Sequence, residues 1–323
     1  MDKGNSGGWA MRIAVFGTGG AGGYFGAQLG RAGEELILIA RGAHLEAIRR
    51  DGLIIETPAG ELVVQPALAT DDPQAAGPVD VVLVGVKAWQ LRDAALAMRP
   101  LLGPASIVVP LQNGVDAPAE LASVLGPGPV LGGLCGTFSQ VTAPGRIRSI
   151  GPINVIRFGE LDNRPSERAE RLLAVFGRAG VKAEIPADIG RALWEKFLLV
   201  TCFGGVGALT RAPIGVMRSV PETRRLLERC LEEALAVGRA RGVRLAETAV
   251  ADSLALIDSL APGSTTSLQR DLADGRPSEL EAWNGAVVRL GHEAGVPTPL
   301  HEVIYHAMLP GERRARGSLA FPA

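Results

Sequence analysis

Three glycines near the N-terminus have the spacing of a nucleotide-phosphate site. Gly17, Gly19 and Gly22 form Gly-x-Gly-x-x-Gly between an apolar run at 12–16 and a helical pattern. In a strand–loop–helix unit the first glycine permits a tight turn and the second lets a pyrophosphate approach the backbone. The third lets the helix pack on the strand, and the helix N-terminus offers free N–H groups to the phosphates. The predicted cofactor-binding loop is therefore Gly17, Thr18, Gly19, Gly20, Ala21 and Gly22. The alternative is a glycine-rich turn in another kind of α/β protein.

Arg41 follows a second apolar run at 36–40 and indicates which dinucleotide binds. A site for NAD usually carries Asp or Glu at this place to bond the ribose 2′-hydroxyl. The next residues, Gly42, Ala43 and His44, supply no carboxylate either. A guanidinium matches a 2′-phosphate, so the sequence predicts NADPH as the cofactor. The alternative is an arginine that is only solvated.

Lys87 and Asn113 follow two further apolar runs, in the segments VGVKAWQ and LQNGVD. Ligands of open α/β sheets bind outside the carboxyl ends of the strands. Both residues are therefore candidates for binding cofactor and substrate. The alternatives are an exposed lysine at a helix start and an Asn-Gly turn.

Lys196, Glu279 and Ser267 are the candidates in the second half of the chain. Lys196 lies in the apolar helical run LWEKFLLV. Partial burial would lower its pKa and make it a usable proton donor, whereas a snorkelling lysine would only reach solvent. Glu279 and Ser267 stand at expected helix starts, where they have capping and dipole roles as alternatives.

The elements that must position these residues alternate between strand and helix in the first half. Apolar runs at 12–16, 36–40, 80–86 and 107–110 alternate with helical patterns, and a hairpin is expected at 53–65. This alternation predicts a doubly wound, mostly parallel α/β sheet of the Rossmann type. Past Pro186 helical patterns dominate, at about 189–210, 220–241, 246–260 and 277–294. We therefore expect a flexible leader at 1–10, a Rossmann domain at 11–186 and an all-α domain at 187–323, whose tail 311–318 is solvated and frayed.

Composition excludes several classes of protein. The 323 residues carry a net charge of −1 and no dense basic cluster, so a nucleic-acid partner is not expected. No apolar run reaches membrane-spanning length, and no signal peptide is recognisable. Three cysteines without a Cys-x-x-Cys pair and four histidines without His-Glu-x-x-His indicate a reduced cytoplasmic protein with no metal site. A homodimer is compatible with these features.

The ordered set of these motifs resembles the ketopantoate reductase (2-dehydropantoate 2-reductase) family from about residue 11 to about 310. The segments that carry the resemblance are IAVFGTGGAGGYFG, Arg41, VKAWQ, QNG, WEK and SLQRDL with GRPSELEAWNG. The resemblance implies NADPH-dependent reduction of a 2-oxo acid to a D-2-hydroxy acid. It implies that Lys196 is the general acid and that Glu279 is the acidic partner of a substrate hydroxyl group. Ser267 and Asn113 are implied as contacts to carboxylate or hydroxyl groups of the substrate.

Two positions depart from the family pattern. Members that act on ketopantoate usually carry asparagines one and two turns after the lysine, where this chain has Val200 and Gly204. We expect a roomier, more apolar pocket, which leaves open a paralogue that reduces another 2-oxo acid. A catalytically silent NADPH-binding regulator is the alternative from another class, and the retained Lys196 and Glu279 argue against it.

Overall fold

The computed structural model describes residues 10–321 and divides the chain into two compact units. The first unit holds the chain up to Gln112 together with Ala117–Ile189, and the second holds Asn113–Asp116 and everything from Gly190 onward. The expected leader lies outside the described residues except for Ala10. The short segment that carries Asn113 thus belongs with the helical unit, although it interrupts the first unit in sequence.

A five-stranded parallel sheet forms the centre of the first unit. In spatial order its strands are β5 (Leu68–Thr70), β2 (Glu35–Ile39), β1 (Arg12–Phe16), β6 (Val79–Val84) and β7 (Leu102–Pro110). The chain winds outward from β1 in one direction through β2 and β5, and in the other through β6 and β7. The order therefore reverses between β1 and β6, which is where doubly wound sheets bind their ligands.

Both faces of this sheet are covered, as the continuous apolar strands predict. In β1 the side chains of Ile13 and Val15 join one core cluster, and those of Ala14 and Phe16 join another. The helices of this unit are α1 (Gly20–Arg31), α2 (Gly42–Asp51), α3 (Leu91–Ala97), α4 (Ala117–Leu125) and α5 (Glu167–Arg178). Helix α3 ends at Ala97, because Pro100 has no N–H with which to continue the helical hydrogen bonds.

A second sheet, which the sequence analysis did not separate from the first, completes this unit. Its strands are β10 (Lys182–Glu184), β9 (Arg146–Gly159), β3 (Leu53–Thr57) and β4 (Gly60–Val64), with β8 (Gly132–Ala143) also paired to β9. The predicted hairpin is confirmed as the antiparallel pair of β3 and β4. It joins the second sheet because β3 pairs with β9, which follows much later in the chain.

The described part of the second unit is entirely helical. Its helices are α6 (Ile189–Thr210), α7 (Ile214–Ser219), α8 (Pro221–Ala240), α9 (Ala249–Ser259), α10 (Ser267–Ala273), α11 (Ala286–Ala294) and α12 (Pro299–Ala315). The expectation that no apolar run reaches membrane-spanning length is wrong, because α6 is long and apolar enough by length and composition. However, 67% of its most apolar window is buried inside the protein. That burial is ordinary for the core helix of a soluble domain, so this one helix is weak support for a membrane span.

Two expectations for the second unit are wrong. A single helix was expected at 277–294, but α11 begins only at Ala286 and follows a π-helical turn, Glu281–Gly285. The tail was expected to be frayed, yet α12 runs through Pro310 to Ala315 and buries Glu312. The two regions are in contact, because the Glu312 carboxylate accepts a hydrogen bond from the N–H of Ser278 at 3.1 Å.

Candidate active site

The glycine loop leaves the carboxyl end of β1 at the point where the strand order reverses. Gly17 has φ +97°, and a Cβ at this residue would lie 2.7 Å from the backbone nitrogen of Val86. A Cβ at Gly22 would lie 2.3 Å from the carbonyl oxygen of Gly17. Both positions therefore need glycine for reasons internal to the protein: a turn and a close approach of helix to strand.

Gly19 differs, because nothing in the described part of the chain requires a glycine there. Its φ is −71°, and the nearest atom to an added Cβ is the Gly85 carbonyl oxygen at 3.8 Å. Within residues 10–321 its N–H has no hydrogen-bond acceptor, and α1 begins without a side-chain cap or an acidic residue in its first turn. Unpartnered N–H groups at a helix start attract anions. The loop thus fits a dinucleotide pyrophosphate.

The neighbouring residues of the loop pack against the rest of this unit. Thr18 is buried, with 3% of its surface exposed. A Cβ at Gly20 would lie 2.3 Å from the carbonyl oxygen of Ser139, so the start of α1 packs directly on β8. Ala21 is half-buried against the core of this unit.

Arg41 and Lys87 stand at the carboxyl ends of the strands that flank β1. Arg41 is the N-cap residue of α2, is exposed, and forms no ion pair within the described chain. Lys87 follows β6 at the start of a 3₁₀ turn, and its Nζ lies 5.8 Å from the centre of the Trp89 ring. The structure therefore brings the glycine loop, a free guanidinium and an ammonium group to one edge of the sheet.

Gln112 is a residue of this edge that the sequence analysis missed. Its side-chain amide nitrogen donates to the carbonyl oxygens of Val84 at 3.0 Å and Val86 at 2.8 Å. These bonds join the carboxyl ends of β6 and β7. Its buried Oε1 has no hydrogen-bond partner in the described part of the chain. A buried amide with unused acceptor capacity next to a ligand edge is a candidate binding group, and its place directly before Asn113 was the available signal.

In the second unit, Lys196, Val200 and Gly204 share one face of α6 because they are four residues apart. Lys196 is half-buried. The expectation of a roomier pocket at Gly204 is wrong, because a Cβ there would lie 2.6 Å from Cζ3 of Trp283. The Trp283 ring fills that space, and Val200 packs on the small cluster of Leu268, Leu280 and Trp283. The expected apolar character stays a prediction, supported by this packing.

Glu279 is buried, with 7% of its surface exposed, on the short segment between α10 and the π turn. Helix α12 holds this segment on both sides of Glu279. Glu312 accepts hydrogen bonds from the Ser278 N–H and hydroxyl group, and Arg316 donates to the Ser278 carbonyl oxygen at 2.9 Å. On the other side the Tyr305 hydroxyl donates to Glu281. π turns occur often at functional sites, and this one begins two residues after the buried Glu279.

Ser267 and Asn113 lie on elements that contact the same region. Ser267 is the first residue of α10, and Thr266, not Ser267, caps the helix by accepting from the Gln269 N–H at 3.2 Å. The N-cap alternative for Ser267 is therefore wrong. A Cβ at Gly114, the neighbour of Asn113, would lie 3.2 Å from the Ala282 carbonyl oxygen. The segment with Asn113 thus packs on the π turn.

Contacts between α6 and α10 complete this arrangement. Leu268 of α10 lies 3.3 Å from the Cβ position of Gly204, and Gln269 lies 2.7 Å from that of Gly207. The elements that carry Lys196, Glu279, Ser267 and Asn113 therefore converge in one region of the helical unit. A proton donor, a carboxylate, a hydroxyl group and an amide are a suitable set for polarising a carbonyl and binding a carboxylate. No group of metal-ligating residues occurs among residues 10–321.

A doubly wound sheet whose glycine loop fits a pyrophosphate, together with a helical unit that carries the half-buried Lys196 and the buried Glu279, is typical of a nicotinamide-dependent oxidoreductase. The chain belongs to the ketopantoate reductase family: the model described as "Ketopantoate reductase PanE/ApbA" matches residues 13–163, and its "C terminal" model matches residues 188–311. Members of this family act on CH–OH groups and reduce 2-oxo acids.

Relatives with assigned names agree with this family. The 2-dehydropantoate 2-reductase of Mesorhizobium japonicum is 33% identical over 316 residues, covering 91% of this chain and 95% of the relative. The crystal structure of a PanE/ApbA family ketopantoate reductase from Ralstonia eutropha has a TM-score of 0.86 at 32% identity, covering 95% of this chain and 100% of that chain. A D-mandelate dehydrogenase with NADH and anilino(oxo)acetate shares the fold alone, with a TM-score of 0.87 at 20% identity over 95% and 99% of the two chains.

Proposed function

We propose that this protein uses NADPH to reduce a 2-oxo acid to a D-2-hydroxy acid, with 2-dehydropantoate as substrate and D-pantoate as product, in the cytoplasm. The observation that carries the proposal is the match of family models to both units of the chain. The open side of Gly19 and the unpaired Arg41 support a dinucleotide with a 2′-phosphate. A charged guanidinium gains more from a phosphate than from a ribose hydroxyl.

In this proposal each site residue has a separate role. The reduced nicotinamide supplies the hydride that reduces the C2 carbonyl carbon of the substrate. Lys196 donates a proton to the carbonyl oxygen, and its positive charge stabilises the alkoxide before transfer. Glu279 is held by its anchored segment, orients the substrate and favours the charged form of Lys196. Asn113, Ser267 and Lys87 bind the carboxylate or hydroxyl groups of the substrate, and Lys87 and Asn113 also contact the cofactor.

A second candidate substrate is a 2-oxo acid with a larger apolar side chain. The packing around Val200 favours it, because Leu268, Leu280 and Trp283 make this face of α6 apolar near Lys196. A substrate hydroxyl group would find no polar side chain at positions 200 and 204. Apolar groups there would instead favour a hydrocarbon side chain by about 0.8 kcal/mol per buried methylene.

A panel of 2-oxo acids, measured by the loss of NADPH absorbance, tests the proposal. The panel contains 2-dehydropantoate, aliphatic 2-oxo acids of increasing length and an aromatic one. Highest kcat/KM on 2-dehydropantoate supports the first substrate, and highest kcat/KM on a hydrocarbon acid supports the second. Tight NADPH binding without turnover on any acid would contradict both and support a regulatory NADPH-binding protein. Lys196→Ala is the control that links turnover to this site.

A further inference from the structure

His44 connects the glycine loop to two other parts of the first unit. Its ring Nε2 lies 2.9 Å from the carbonyl oxygen of Thr18, in the middle of Gly17–Thr18–Gly19. Its Nδ1 lies 3.0 Å from the backbone nitrogen of Gly145, in the turn between β8 and β9. His44 itself belongs to the first turn of α2, three residues after Arg41. One imidazole therefore joins the loop, the helix and the hairpin.

The two contacts determine the proton positions on this ring. A backbone N–H is always a donor, so Nδ1 must accept the hydrogen bond from Gly145. A carbonyl oxygen is always an acceptor, so Nε2 must carry the proton and donate to Thr18. This is a neutral imidazole. Burial lowers the pKa of His44, while the hydrogen bond to Thr18 raises it less. The ring therefore stays neutral near neutral pH and holds both bonds.

The bond to Thr18 has a consequence for the next N–H group along the chain. In a trans peptide the C=O and the following N–H point in opposite directions. Because the Thr18 carbonyl points at His44, the Gly19 N–H points away from His44. Gly19 has no side chain to restrict rotation of this peptide plane, and its N–H finds no acceptor within residues 10–321. A hydrogen bond to the Thr18 oxygen is what opposes that rotation.

We infer that His44 is a positioning residue for the cofactor, which holds the Thr18–Gly19 peptide so that the Gly19 N–H faces the pyrophosphate. The inference rests on the proposed dinucleotide cofactor. The surrounding packing gives the imidazole a rigid base. Gly145 lies close to α2, since a Cβ there would be 2.9 Å from Cβ of Ala47. The bond from Gly145 to Nδ1 fixes the ring plane and thereby aims Nε2 at Thr18.

Two substitutions separate the two hydrogen bonds of the ring. In His44→Gln the side-chain amide nitrogen can occupy the place of Nε2 and donate to Thr18. In His44→Asn the amide oxygen can occupy the place of Nδ1 and accept from Gly145, but nothing reaches Thr18. Each variant keeps one bond and loses one, so we expect similar losses of thermal stability. The difference between them in cofactor affinity then reports the bond to Thr18 alone.

The experiment measures Kd for NADPH and for NADH by fluorescence titration, with Tm for each variant. We expect His44→Gln to bind NADPH within about threefold of the wild type. We expect His44→Asn to raise Kd about 3- to 10-fold, the worth of one hydrogen bond. The factor should be the same for NADPH and NADH, because both carry the pyrophosphate. Arg41→Ala is the matched control, since it should weaken NADPH alone.

Equal Kd values for His44→Gln and His44→Asn would overturn the inference, and so would affinities that simply follow Tm. An increase confined to NADPH would also overturn it, because that would place the effect at the 2′-phosphate. Failure of the proposed function looks different: the wild type would then bind neither dinucleotide. That result would refute the cofactor assignment and the role of His44 together.

Discussion

A comparison of Gly19→Val with Gly22→Ala distinguishes a glycine that is needed for ligand binding from a glycine that is needed for packing. At Gly19 an added Cβ has no neighbour closer than 3.8 Å and the backbone is in an ordinary region with φ −71°. At Gly22 the Cβ would lie 2.3 Å from the Gly17 carbonyl oxygen, which is backbone and cannot rotate away. The two changes should therefore affect different quantities.

The stability cost follows from these contacts. Gly19 is the N-cap of α1, and an apolar residue at an N-cap is less favourable than glycine by roughly 0.5–1 kcal/mol. Replacing glycine also lowers the conformational entropy of the unfolded chain, which stabilises the folded state by about 0.4–1 kcal/mol. The free energy of unfolding of Gly19→Val should thus stay within about 1 kcal/mol of the wild type. Gly22→Ala must move α1 away from β1, an overpacking that costs about 1–3 kcal/mol or more.

The expected losses of NADPH affinity have the opposite order, with the larger loss in Gly19→Val. In the proposed function, a valine side chain at residue 19 would occupy the space through which the pyrophosphate reaches the N–H groups at the start of α1. Each hydrogen bond from a neutral N–H to a charged phosphate contributes about 1.5–3 kcal/mol, so the loss of one alone raises Kd by about 10- to 150-fold. Loss of two would abolish measurable binding. Gly22→Ala should weaken binding only as far as it disturbs the loop.

Urea unfolding and NADPH fluorescence titration on the same preparations measure both quantities. The expected result is a stable Gly19→Val protein that does not bind NADPH, beside a destabilised Gly22→Ala protein that still binds. Gly19→Val with wild-type affinity would show that the pyrophosphate does not use this loop. A large loss of stability in Gly19→Val would show that the open space beside Gly19 is needed for folding.

Four further substitutions test the remaining assignments. Arg41→Ala should remove a preference of about 10–100-fold for NADPH over NADH in kcat/KM; a wild-type enzyme that prefers NADH would refute this. Lys196→Ala should lower kcat by about 10²–10⁴-fold and remove the basic limb of the pH–rate profile while NADPH affinity holds; near-normal kcat would mean that the lysine only reaches solvent. Glu312→Ala should cost about 1–3 kcal/mol of stability. It should also lower kcat with an unchanged Kd for NADPH, because it releases the segment that carries Glu279. A loss of stability without a loss of kcat would show that this anchor does not position Glu279 for catalysis. Two opposing effects act on the pKa of Glu233. Burial raises it, but hydrogen bonds from the His301 ring and from two backbone N–H groups together lower it by more, so the net pKa is below the ordinary 4.5. The stability it adds is therefore present above pH 4.5 and lost as pH falls through the lower folded value, and urea unfolding of Glu233→Gln should lack that part of the acid decline.

The local features of the chain were predictable from sequence. Strand β1 and helix α6 have the predicted bounds, Arg12–Phe16 and Ile189–Thr210. Each of these elements is a continuous run of residues, and the apolar pattern of that run is enough to predict the element. Helix α12 was missed because its prolines, Pro299 and Pro310, were interpreted as helix stops, although the first turn of a helix tolerates proline.

Contacts between distant parts of the chain were not predictable. The pocket beside Gly204 was expected to be roomier, and the Trp283 ring fills that space. Glu312 was assigned to a frayed tail, and it anchors Ser278 across 34 residues. Such contacts depend on which elements pack together, and a side chain's own sequence neighbours carry no information about that.

The sequence by itself therefore determined the fold class, the glycine loop and the candidate residues Arg41, Lys196 and Glu279, because residue type and local spacing are enough to specify them. Only the tertiary structure decided which glycine of the loop is free for a ligand, and that His44 reaches Gly145 across 101 residues. The physical reason is the distance along the chain over which each kind of interaction acts. Periodicity and capping act within a few turns of chain, whereas steric clashes and the orientation of a peptide plane are decided by atoms that only folding brings together.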